Sequence, residues 1–456
     1  AQGMLIETIS GVRGIIPQDF NESVISRYVG AFHSLCGEGA IIVGRDTRAS
    51  GSKLTSAVIE ALLTSGRDVI DCGICPTPTV QFAVEDTDAV GGLVITASHN
   101  PEEWNGLKFI AQDGCFLNED VFGDLMRFAN QGARETAGES GNYVRFDQAV
   151  RRHIQRVLRI DWVDVDKIKD CNYKVAVDTV NGAAAEALPL LLKRLGCDVV
   201  SINCELSGEF TRGTEPLPEN LSGLTQLVQE ENCHIGFATD PDADRLAVVD
   251  ENGKPVGEEY TLVLALDGFL STTGDLEPIV TNLSTTMAVE KVAERYGAEV
   301  HRSAVGEINV VEMMKESGSR IGGEGNGGVI LKEVHLGRDS LVGAAIILDS
   351  MARTSQPLTA IFRQLPQFHM VKEKVTVDGS MAEESWQRIA EQFDGAATSF
   401  VDGLKLKWSD RWVHIRRSNT EPIVRIYAEA PTEDEALSLA RKVSELDVFT
   451  ADPAMT

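Results

Sequence analysis

The chain lacks the long apolar runs and the surplus of basic residues that would place it on a membrane or on nucleic acid. No stretch of its 456 residues approaches the roughly 18 to 20 consecutive apolar residues that cross a bilayer. Its 42 lysines and arginines face 69 aspartates and glutamates, which gives a formal charge of −27. Such a charge repels phosphate backbones and acidic lipid surfaces, so we expect no nucleic acid and no membrane among the partners.

The cysteines are not arranged as a redox or zinc site would require. The eight cysteines are scattered, and the one close pair is Cys72 and Cys75. A C-x-x-C pair can serve redox chemistry or zinc, but no second pair completes a tetrahedral site and Pro76 follows at once. We interpret the cysteines as small buried apolar residues, which favours a reducing, cytoplasmic location. The first residues also lack the basic and apolar regions of a secretion signal.

The chain does have the composition of a large globular protein and a repeated β-α-β pattern. Hydrophobic residues make up 43% of it, enough to bury a large core. A short apolar run, a helical spacing of apolar residues and a second apolar run recur at residues 40–70, 173–202 and 278–301. The pattern predicts an α/β fold class, with three related domains whose sheets have parallel or mixed strands.

The last part of the chain has a different pattern. Antiparallel strands with one solvated face are indicated, because apolar and polar residues alternate over 372–377, 404–408, 412–416 and 424–428. A helix is predicted at 433–446, so the fourth domain should be α+β. We place the four domains at residues 1–150, 151–253, 254–369 and 370–456.

The stretch TASHNP at residues 96–101 ends an apolar run and is soon followed by Lys108. A strand that ends in a turn of small residues can present one hydroxyl outward, here that of Ser98, with His99 and Lys108 as cationic or proton-transferring neighbours. Such a serine could be a nucleophile or a phosphate carrier. The alternative is an ordinary polar turn, in which Ser, Asn and Pro are common.

The stretch DPDADR at residues 240–245 lies between two apolar runs. Asp240, Asp242 and Asp244 occupy alternate positions, where their charges repel one another. Oxygen-only ligands of this kind suit Mg²⁺, which keeps positions for water or phosphate. The alternative is a solvated acidic turn, which the apolar flanks disfavour.

Two further loops could bind parts of a ligand. The stretch GGEGNGG at 322–328 matches G-x-G-x-x-G, but a strand is predicted after it, where a dinucleotide site needs a helix. Glu324 and Asn326 suit the hydroxyl groups of a sugar, unless the segment is a plain glycine turn. The stretch RRSNTEP at 416–422 can hold a phosphate through guanidinium, hydroxyl and amide groups, or can be a solvated hairpin.

Two basic loops carry less weight. They are SGVRG at 10–14, which contains Arg13, and GRDTR at 44–48. An Arg-Asp-x-Arg cluster is more often a structural network of ion pairs than a binding site.

These loops, in this order, resemble those of the α-D-phosphohexomutase family, whose enzymes interconvert hexose 6-phosphates and hexose 1-phosphates. The likeness covers nearly the whole chain, and TASHNP together with DPDADR is a highly specific pair. The resemblance implies three related α/β domains and a C-terminal TBP-like α+β domain around a central cleft. It further implies an intramolecular phosphotransferase of the isomerase class, with a small-molecule sugar phosphate as its partner and a monomeric or homodimeric state.

The same resemblance assigns roles to individual residues. Ser98 is implied to carry the phosphate, and the other catalytic residues implied are Lys108, His99 and Arg13. One Mg²⁺ per chain is implied on Asp240, Asp242, Asp244 and a phosphate oxygen of Ser98, with a sugar 1,6-bisphosphate as activator. The substrate-binding residues implied are Arg245, Gly306, Glu324, Asn326, Arg416, Ser418, Asn419, Thr420 and Arg425.

Two departures from the family's pattern bear on the substrate. Many relatives read G-E-x-S-G-H at the sugar loop, where this chain has Asn326 and Gly328 in place of the Ser and the His. Some phosphomannomutase/phosphoglucomutase members carry a lysine in the third domain, where this chain reads NLSTT at 282–286. The E-x-N-G-G form resembles an archaeal-type phosphoglucosamine mutase branch. Glucosamine phosphates are therefore the expected substrates, and glucose or mannose phosphates are the alternative.

Two other functions fit parts of the sequence. An apolar run that ends in Asp-x-Asp is also the nucleophile site of haloacid-dehalogenase-type phosphatases, with Asp240 attacked and Asp242 as acid and base. Those sites have Thr where this chain has Asp244. A sugar-phosphate sensor on the same fold would need to have lost its chemistry, yet Ser98 and the aspartates are present.

The charge of −27 has to be reconciled with an anionic substrate. We expect the acidic residues to lie mainly on the outer surface, so that the cleft is locally positive. The cations expected in it are Arg13, Lys108, Arg245, Arg416 and Arg425.

Overall fold

Four sheets, one after another along the chain, organise the molecule. The computed structural model describes residues 4–131, 138–377, 383–418 and 422–450. Within those ranges, no helix is both long enough and apolar enough to cross a membrane. The sheets divide the chain into four units, three of them mixed α/β and the last antiparallel.

The first unit contains a seven-stranded mixed sheet. Its elements are β1 (Ile6–Thr8), β2 (Gly11–Ile15), α1 (Glu22–Leu35), β3 (Ile41–Arg45), α2 (Gly51–Thr64), β4 (Val69–Ile74), α3 (Thr77–Asp86), β5 (Gly91–Ile95), β6 (Trp104–Ile110), α4 (Glu119–Asn130) and β7 (Tyr143–Arg145). The strands lie in the order β1-β2-β6-β5-β3-β4-β7. β3 is parallel to β4 and β5, as the predicted β-α-β unit requires, whereas β6 runs antiparallel to β2 and β5.

The second unit begins with two helices and has a four-stranded sheet. Its elements are α5 (Ala149–Leu158), α6 (Val165–Asp170), β8 (Lys174–Asp178), α7 (Ala184–Arg194), β9 (Asp198–Ile202), α8 (Ser222–Glu230), β10 (Ile235–Thr239) and β11 (Leu246–Val249). β8 is parallel to β9 and β10, and β11 pairs antiparallel with β10. The acidic stretch 240–245 is therefore the short connection between two adjacent, fully buried strands.

The third unit repeats this plan. Its elements are α9 (Glu258–Thr273), β12 (Ile279–Asn282), α10 (Ala288–Tyr296), β13 (Val300–Ser303), α11 (Glu307–Ser317), β14 (Ile321–Glu324), β15 (Gly328–Leu331), α12 (Ser340–Thr354) and α13 (Leu358–Arg363). The glycine-rich stretch is the turn of the antiparallel hairpin β14–β15. A strand follows it as predicted, which rules out the helix that a dinucleotide fingerprint needs.

The fourth unit is a five-stranded antiparallel sheet with helices. Its elements are β16 (His369–Thr376), α14 (Glu383–Glu391), β17 (Ala397–Ser399), β18 (Leu404–Lys407), β19 (Trp412–Arg417), β20 (Ile423–Ala430), α15 (Glu433–Ser444) and α16 (Asp447–Thr450). The strand order is β16-β20-β19-β18-β17. The α/β fold class and the four-unit architecture with a final α+β unit are confirmed, while the domain limits given above stay a prediction.

The hydrophobic cores do not follow the four units one to one. One continuous core extends from α5 through the second unit and into α9, α12 and α13 of the third. The first unit has a core on each face of its sheet. The fourth unit has a core of its own. All eight cysteines are free, and Cys72 and Cys75 are buried, as the interpretation of them as small apolar residues expects.

A buried polar junction joins the first three units. Asp339 is the N-cap of α12, and its Oδ1 accepts from the backbone N–H of Leu341 at 2.9 Å. Its Oδ2 lies 2.6 Å from Nε2 of His153 and 2.8 Å from Nε2 of His335. His153 also contacts the hydroxyl of Thr79 on α3, at 2.8 Å from Nδ1. The two histidines lower the pKa of Asp339 far below the ordinary carboxyl range, although its burial acts in the opposite direction.

We predict that Asp339→Ala lowers the free energy of unfolding by about 3 kcal/mol, because it removes a helix cap and leaves Nε2 of two buried imidazoles without its partner. Asp339→Asn should cost less, since its amide oxygen can still cap α12. The depressed pKa means that the ionised carboxylate adds stability above about pH 4, and that this contribution is lost as the pH falls below that value. Thermal unfolding from pH 2 to 8 measures both effects. Equal losses in the two variants would contradict this role.

Candidate active site

Ser98 lies in the turn that follows β5 and faces the acidic loop of the second unit. Its backbone is left-handed, with φ at 51°, and its side chain is almost fully buried. Ser98 Oγ donates to Oδ1 of Asp242 at 3.1 Å. A non-glycine residue in this conformation is a local strain that the surrounding contacts must hold. The predicted serine and the predicted metal loop therefore meet in space.

Arg48 supplies much of that support. Its guanidinium is fully buried and donates to four backbone carbonyls of the turn. The donor–acceptor distances to the carbonyl oxygens of Ser98, Asn100, Pro101 and Trp104 are 2.7, 2.8, 2.5 and 3.1 Å. Its Nε pairs with Asp46 at 3.0 Å. The GRDTR stretch is thus a structural ion-pair network, as its pattern suggested, and it holds the serine turn from behind.

The acidic loop concentrates three buried carboxylates. One oxygen from each of Asp240, Asp242 and Asp244 lies within 4.8 Å of the others. Burial and the two neighbouring carboxylates raise the pKa of Asp240 well above its usual value. Burial would raise the pKa of Asp244 too, but Arg338, Lys108 and Arg245 outweigh it and lower that pKa. Ala243, between them, is also left-handed, with φ at 63°.

Two cations and one hydroxyl, from three different parts of the chain, hold the carboxylates. Lys108 Nζ, from β6, lies 2.7 Å from Oδ2 of Asp242 and 3.5 Å from Oδ2 of Asp244. Arg338 Nη2 lies 2.7 Å from that same oxygen of Asp244. The hydroxyl of Thr77, at the start of α3, donates to Asp242 at 2.6 Å.

The donor set fits a divalent cation. Oδ2 of Asp240 and Oδ1 of Asp244 are buried and have no hydrogen-bond partner in the described part of the chain. Burying a charged oxygen without a partner is costly, and a bound cation would remove that cost. All the ligands are carboxylate oxygens, which Mg²⁺ prefers. The loop is therefore a candidate magnesium site.

His99 and Arg245 form the boundary between this cluster and an open cavity. Arg245 Nη2 lies 3.2 Å from Nδ1 of His99, and its Nη1 lies 3.5 Å from Oε2 of Glu215. Burial, together with Arg245 and Arg13, lowers the pKa of His99 well below its ordinary value. His99 is therefore neutral, and its Nδ1 accepts from the guanidinium. Arg13 anchors the turn through Asn100 Oδ1 at 3.1 Å, and burial lowers its pKa to about 10.

The cavity has a volume of about 240 Å³ and is lined by residues of all four units. Ser98 and the three aspartates are not part of its wall; they lie behind His99 and Arg245. Its lining residues are His99, Glu215, Arg245, Glu258, Glu259, Asn282, Ser284, Val305, Glu324, Gly325, Asn326, Lys372, His414, Arg416, Arg425 and Tyr427.

The glycine-rich hairpin contributes Glu324 and Asn326 to this cavity, as predicted. Glu324 Oε2 accepts from Asn282 Nδ2 at 2.7 Å and from the backbone N–H of Gly306 at 3.1 Å. Gly306 thus positions the carboxylate through its backbone. Asn326 lines the cavity, and its buried Oδ1 has no hydrogen-bond partner among the residues that the structure describes.

The fourth unit contributes the predicted phosphate residues in part. Arg416 and Arg425 are opposite each other on β19 and β20, and both line the cavity. Arg416 Nε pairs with Oδ2 of Asp402 at 3.2 Å. Ser418 follows β19, and its backbone N–H donates to Ile423. Asn419 and Thr420 lie outside the described residues.

The expectation of a locally positive cleft stays a prediction, because the described cavity wall carries both signs of charge. Four cations, Arg245, Lys372, Arg416 and Arg425, line the described cavity wall, but so do Glu215, Glu258, Glu259 and Glu324. Sequence reasoning missed Glu258, Glu259 and Lys372 because they form an ion-paired group across two units, with Lys372 Nζ 2.5 Å from Glu258. Burial raises the pKa of Glu259 to about 8 even though Lys372 opposes it. Because that pKa leaves Glu259 largely protonated at neutral pH, the described wall has no excess of negative charge, although the chain as a whole is strongly acidic.

Other site residues were missed for a related reason. Thr77, Arg338 and Glu215 reach the site from segments that contain no recognisable motif. Glu258 and Glu259, after Gly257 at the start of α9, had the weak signal of an acidic helix N-terminus. For Arg338, the signal would have been that a buried aspartate needs a cation. The sequence does not show which cation pairs with which aspartate.

Comparison with known proteins places matches along almost the whole chain. Models described as phosphoglucomutase/phosphomannomutase, alpha/beta/alpha domains I, II and III, match residues 6–134, 151–253 and 257–368. The C-terminal domain of the same family matches residues 371–446.

Individual relatives agree with these matches. A phosphoglucomutase/phosphomannomutase of Thermococcus kodakarensis is 37% identical over 98% of both chains. A protein of Methanopyrus kandleri named as a probable phosphoglucosamine mutase is 33% identical over 94% of this chain and 95% of its own. A crystal structure of a phosphoglucomutase/phosphomannomutase family protein from Burkholderia thailandensis superposes with a TM-score of 0.83 at 27% identity. It covers 96% of this chain and 97% of its own.

We predict that Mg²⁺ stabilises the folded chain, because it neutralises three buried carboxylates. At 100 times its dissociation constant it should add about 2.7 kcal/mol, seen as a higher thermal midpoint. Asp240→Asn should raise the midpoint without metal, since it relieves repulsion, and should abolish the response to Mg²⁺. The control Asp250→Asn, outside the cluster, should keep the response. An undiminished response in Asp240→Asn would contradict the site.

We predict that Arg48→Met lowers kcat about 100-fold, because the serine turn loses the donors that fix its geometry. Arg67 offers a matched control, since its buried guanidinium also donates to backbone carbonyls, at 2.8 Å for His33 and 2.9 Å for Gly39, away from the site. Arg67→Met should lower the thermal midpoint to a similar degree but leave kcat within about threefold. A similar loss of kcat in both variants would show that Arg48 acts on stability alone.

Proposed function

Because the chain belongs to the phosphoglucomutase/phosphomannomutase family, we propose that it interconverts hexose 6-phosphates and hexose 1-phosphates through a phosphoserine at Ser98. The observation that supports this most directly is the contact of Ser98 Oγ with Asp242, at 3.1 Å, inside a buried cluster of carboxylates and cations. A hydroxyl held there is placed to carry a phosphoryl group next to a divalent cation. In the forward half-reaction, phosphoserine 98 donates to a free hydroxyl of the sugar monophosphate, and a sugar 1,6-bisphosphate results.

Asp240, Asp242, Asp244 and a phosphate oxygen on Ser98 would hold Mg²⁺. When bound, the ion neutralises charge on the phosphoryl group that is transferred. This chain's own residues supply the rest. Lys108 and Arg245 add positive charge around the phosphoryl position, and Arg13 holds the turn through Asn100. Because the neutral His99 accepts from Arg245, we assign it to the orientation of that guanidinium.

Lys108 is our candidate for stabilising the hydroxyl oxygen as it gains or loses its bond to phosphorus. It is buried and held by two carboxylates, so its position is fixed before substrate arrives. Arg416, Arg425 and Ser418, with Asn419 and Thr420, bind the phosphate that is not being transferred. One such clamp serves both directions, since a bisphosphate that turns end over end again presents a phosphate to it. The escaped bisphosphate can rephosphorylate Ser98, which makes it an activator.

We assign glucosamine phosphates as the preferred substrates. The cavity wall carries four glutamates beside its four cations, and a 2-ammonium group can form an ion pair with such a carboxylate where a hydroxyl forms only a hydrogen bond. The similarity to the Methanopyrus kandleri protein, named for glucosamine, supports the same choice. The similarity to the Thermococcus kodakarensis protein supports glucose and mannose phosphates as the second candidate. We expect an enzyme of small-molecule metabolism, in the cytoplasm, as a monomer or homodimer.

The test compares kcat/KM for glucosamine 1-phosphate, glucose 1-phosphate and mannose 1-phosphate, each with Mg²⁺ and a trace of glucose 1,6-bisphosphate. Glucosamine 1-phosphate should give the highest value, by about tenfold. Faster turnover of glucose 1-phosphate would overturn the substrate assignment while leaving the mutase.

A second measurement identifies the residue that carries the phosphate. Mass spectrometry should find the phosphate on the peptide that contains Ser98, and Ser98→Ala should lose turnover. The exposed Ser56→Ala on α2 is the control and should keep it. A phosphate trapped on Asp240 would support a phosphatase instead, and full activity of Ser98→Ala would rule out the phosphoserine mechanism.

A further inference from the structure

Arg338 links the metal loop to the sugar loop. It lies between β15 and α12, and its guanidinium contacts carboxylates from three separate elements. Nη2 lies 2.7 Å from Oδ2 of Asp244, Nε lies 3.0 Å from Oε1 of Glu307, and Nη1 lies 3.6 Å from Oε1 of Glu324. One planar group therefore faces a proposed metal ligand and a proposed sugar ligand at once.

The hairpin has an open space that this side chain fills. A Cβ placed on Gly328 would lie 2.2 Å from Cδ and 2.8 Å from Cγ of Arg338, far inside the usual 3.5–4.0 Å between carbon atoms. The aliphatic stem of Arg338 occupies the volume that the Cβ of any side chain at position 328 would need.

The base of Arg338 is rigid. Its backbone N–H donates to the same oxygen of Glu307 that accepts from Nε, at 2.8 Å. The next residue, Asp339, caps α12 and takes part in the junction with His153 and His335. Little freedom remains for the side chain, so the guanidinium is fixed before any ligand binds.

The charge of Arg338 is also fixed. Burial lowers its pKa, but the surrounding carboxylates, Asp244 first, raise the net pKa well above the ordinary value. A guanidinium in this state cannot exchange a proton with substrate. It can hold carboxylates in a set geometry, and its planar fork reaches several oxygens where a lysine would reach one.

We propose that Arg338 is the positioning residue that fixes Glu324 relative to Asp244. The group that recognises the sugar is then held in a fixed position relative to the site of phosphoryl transfer. Glu324 is held from one side by Asn282 and Gly306 through Oε2, and Arg338 holds the other oxygen. The proposal rests on the proposed function, because it assumes that Glu324 contacts the sugar.

The experiment measures ligand binding without turnover, in chains that also carry Ser98→Ala. Glucosamine 1-phosphate and inorganic phosphate are titrated calorimetrically into the parent, Arg338→Met and Arg338→Lys. The sugar phosphate should bind about tenfold more weakly to Arg338→Met, with a smaller loss for Arg338→Lys, as expected when a charged hydrogen-bonding group is lost. Inorganic phosphate has no sugar for Glu324 to contact, so it should bind as in the parent. Equal loss for both ligands would overturn the proposal.

A double-mutant cycle with Glu324→Gln separates positioning from general destabilisation. If Arg338 acts through Glu324, Arg338→Met should weaken sugar binding by less than threefold once Glu324 is already Gln. Full additivity of the two losses would contradict the proposal. Arg353→Met is the matched control, because Arg353 pairs with the buried Asp349 on the same helix, away from the cavity. It should leave the binding of both ligands unchanged.

Gly328→Ala is the second test, since it leaves the charge of Arg338 unchanged but places a methyl group in the volume that the Arg338 side chain occupies. It should weaken sugar binding in the parent and have little further effect in Arg338→Met, where the space is free. Equal effects in both backgrounds would count against the proposal. With Ser98 intact, Arg338→Met should raise KM and lower kcat. If the parent turns over normally and Arg338→Met leaves both constants unchanged, this inference is overturned while the proposed function stands. If the parent itself turns over none of the three hexose phosphates, the proposed function fails instead.

Discussion

The neutralisation of three buried carboxylates is the constraint that organises this molecule. Asp240, Asp242 and Asp244 follow one another at alternate positions in a connection between two buried strands, where water cannot screen them. Their counter-charges come from β6 of the first unit, from the start of α12 in the third unit and from the loop itself. The three α/β units must therefore meet at this point, because each supplies part of the charge that the loop needs.

The same constraint explains the backbone around it. Ser98 and Ala243 both adopt left-handed conformations that ordinary residues avoid. Each is held by contacts with a neighbouring segment, Arg48 for the serine turn and Ser340 for the carbonyl of Ala243. Strain of this kind persists only where the surroundings compensate for it, which is why it coincides with the reacting groups.

Contiguous features were predictable from the sequence and dispersed ones were not. The serine turn, the acidic loop and the glycine-rich hairpin are short stretches in which residue type and apolar flanks already indicate the chemistry. The β-α-β units and the alternating strands of the fourth unit were predicted for the same reason. By contrast, the antiparallel β1–β2 pair at the edge of the first sheet has too few residues to show the alternation of a strand. The residues before α14 show no clear pattern that would indicate where a helix begins. Thr77, Glu215, Lys372 and Arg338 act through distant partners, so their roles depend on tertiary contacts that no local pattern carries.

The cores and the polar contacts show which units of the molecule are held together rigidly. The second and third units share one apolar core, so they behave as a single stiff block. The fourth unit has its own core, and the contacts that join it to that block include the pairs Lys372–Glu258, His414–Ser284, Asp402–Val305 and Glu429–Met287. These are polar contacts that water can replace, whereas separating an apolar core exposes surface that water disfavours. A swing of the last unit away from the block would break these polar contacts but leave both cores intact, and it would move Arg416 and Arg425 away from a cavity whose His99 and Arg245 belong to other units.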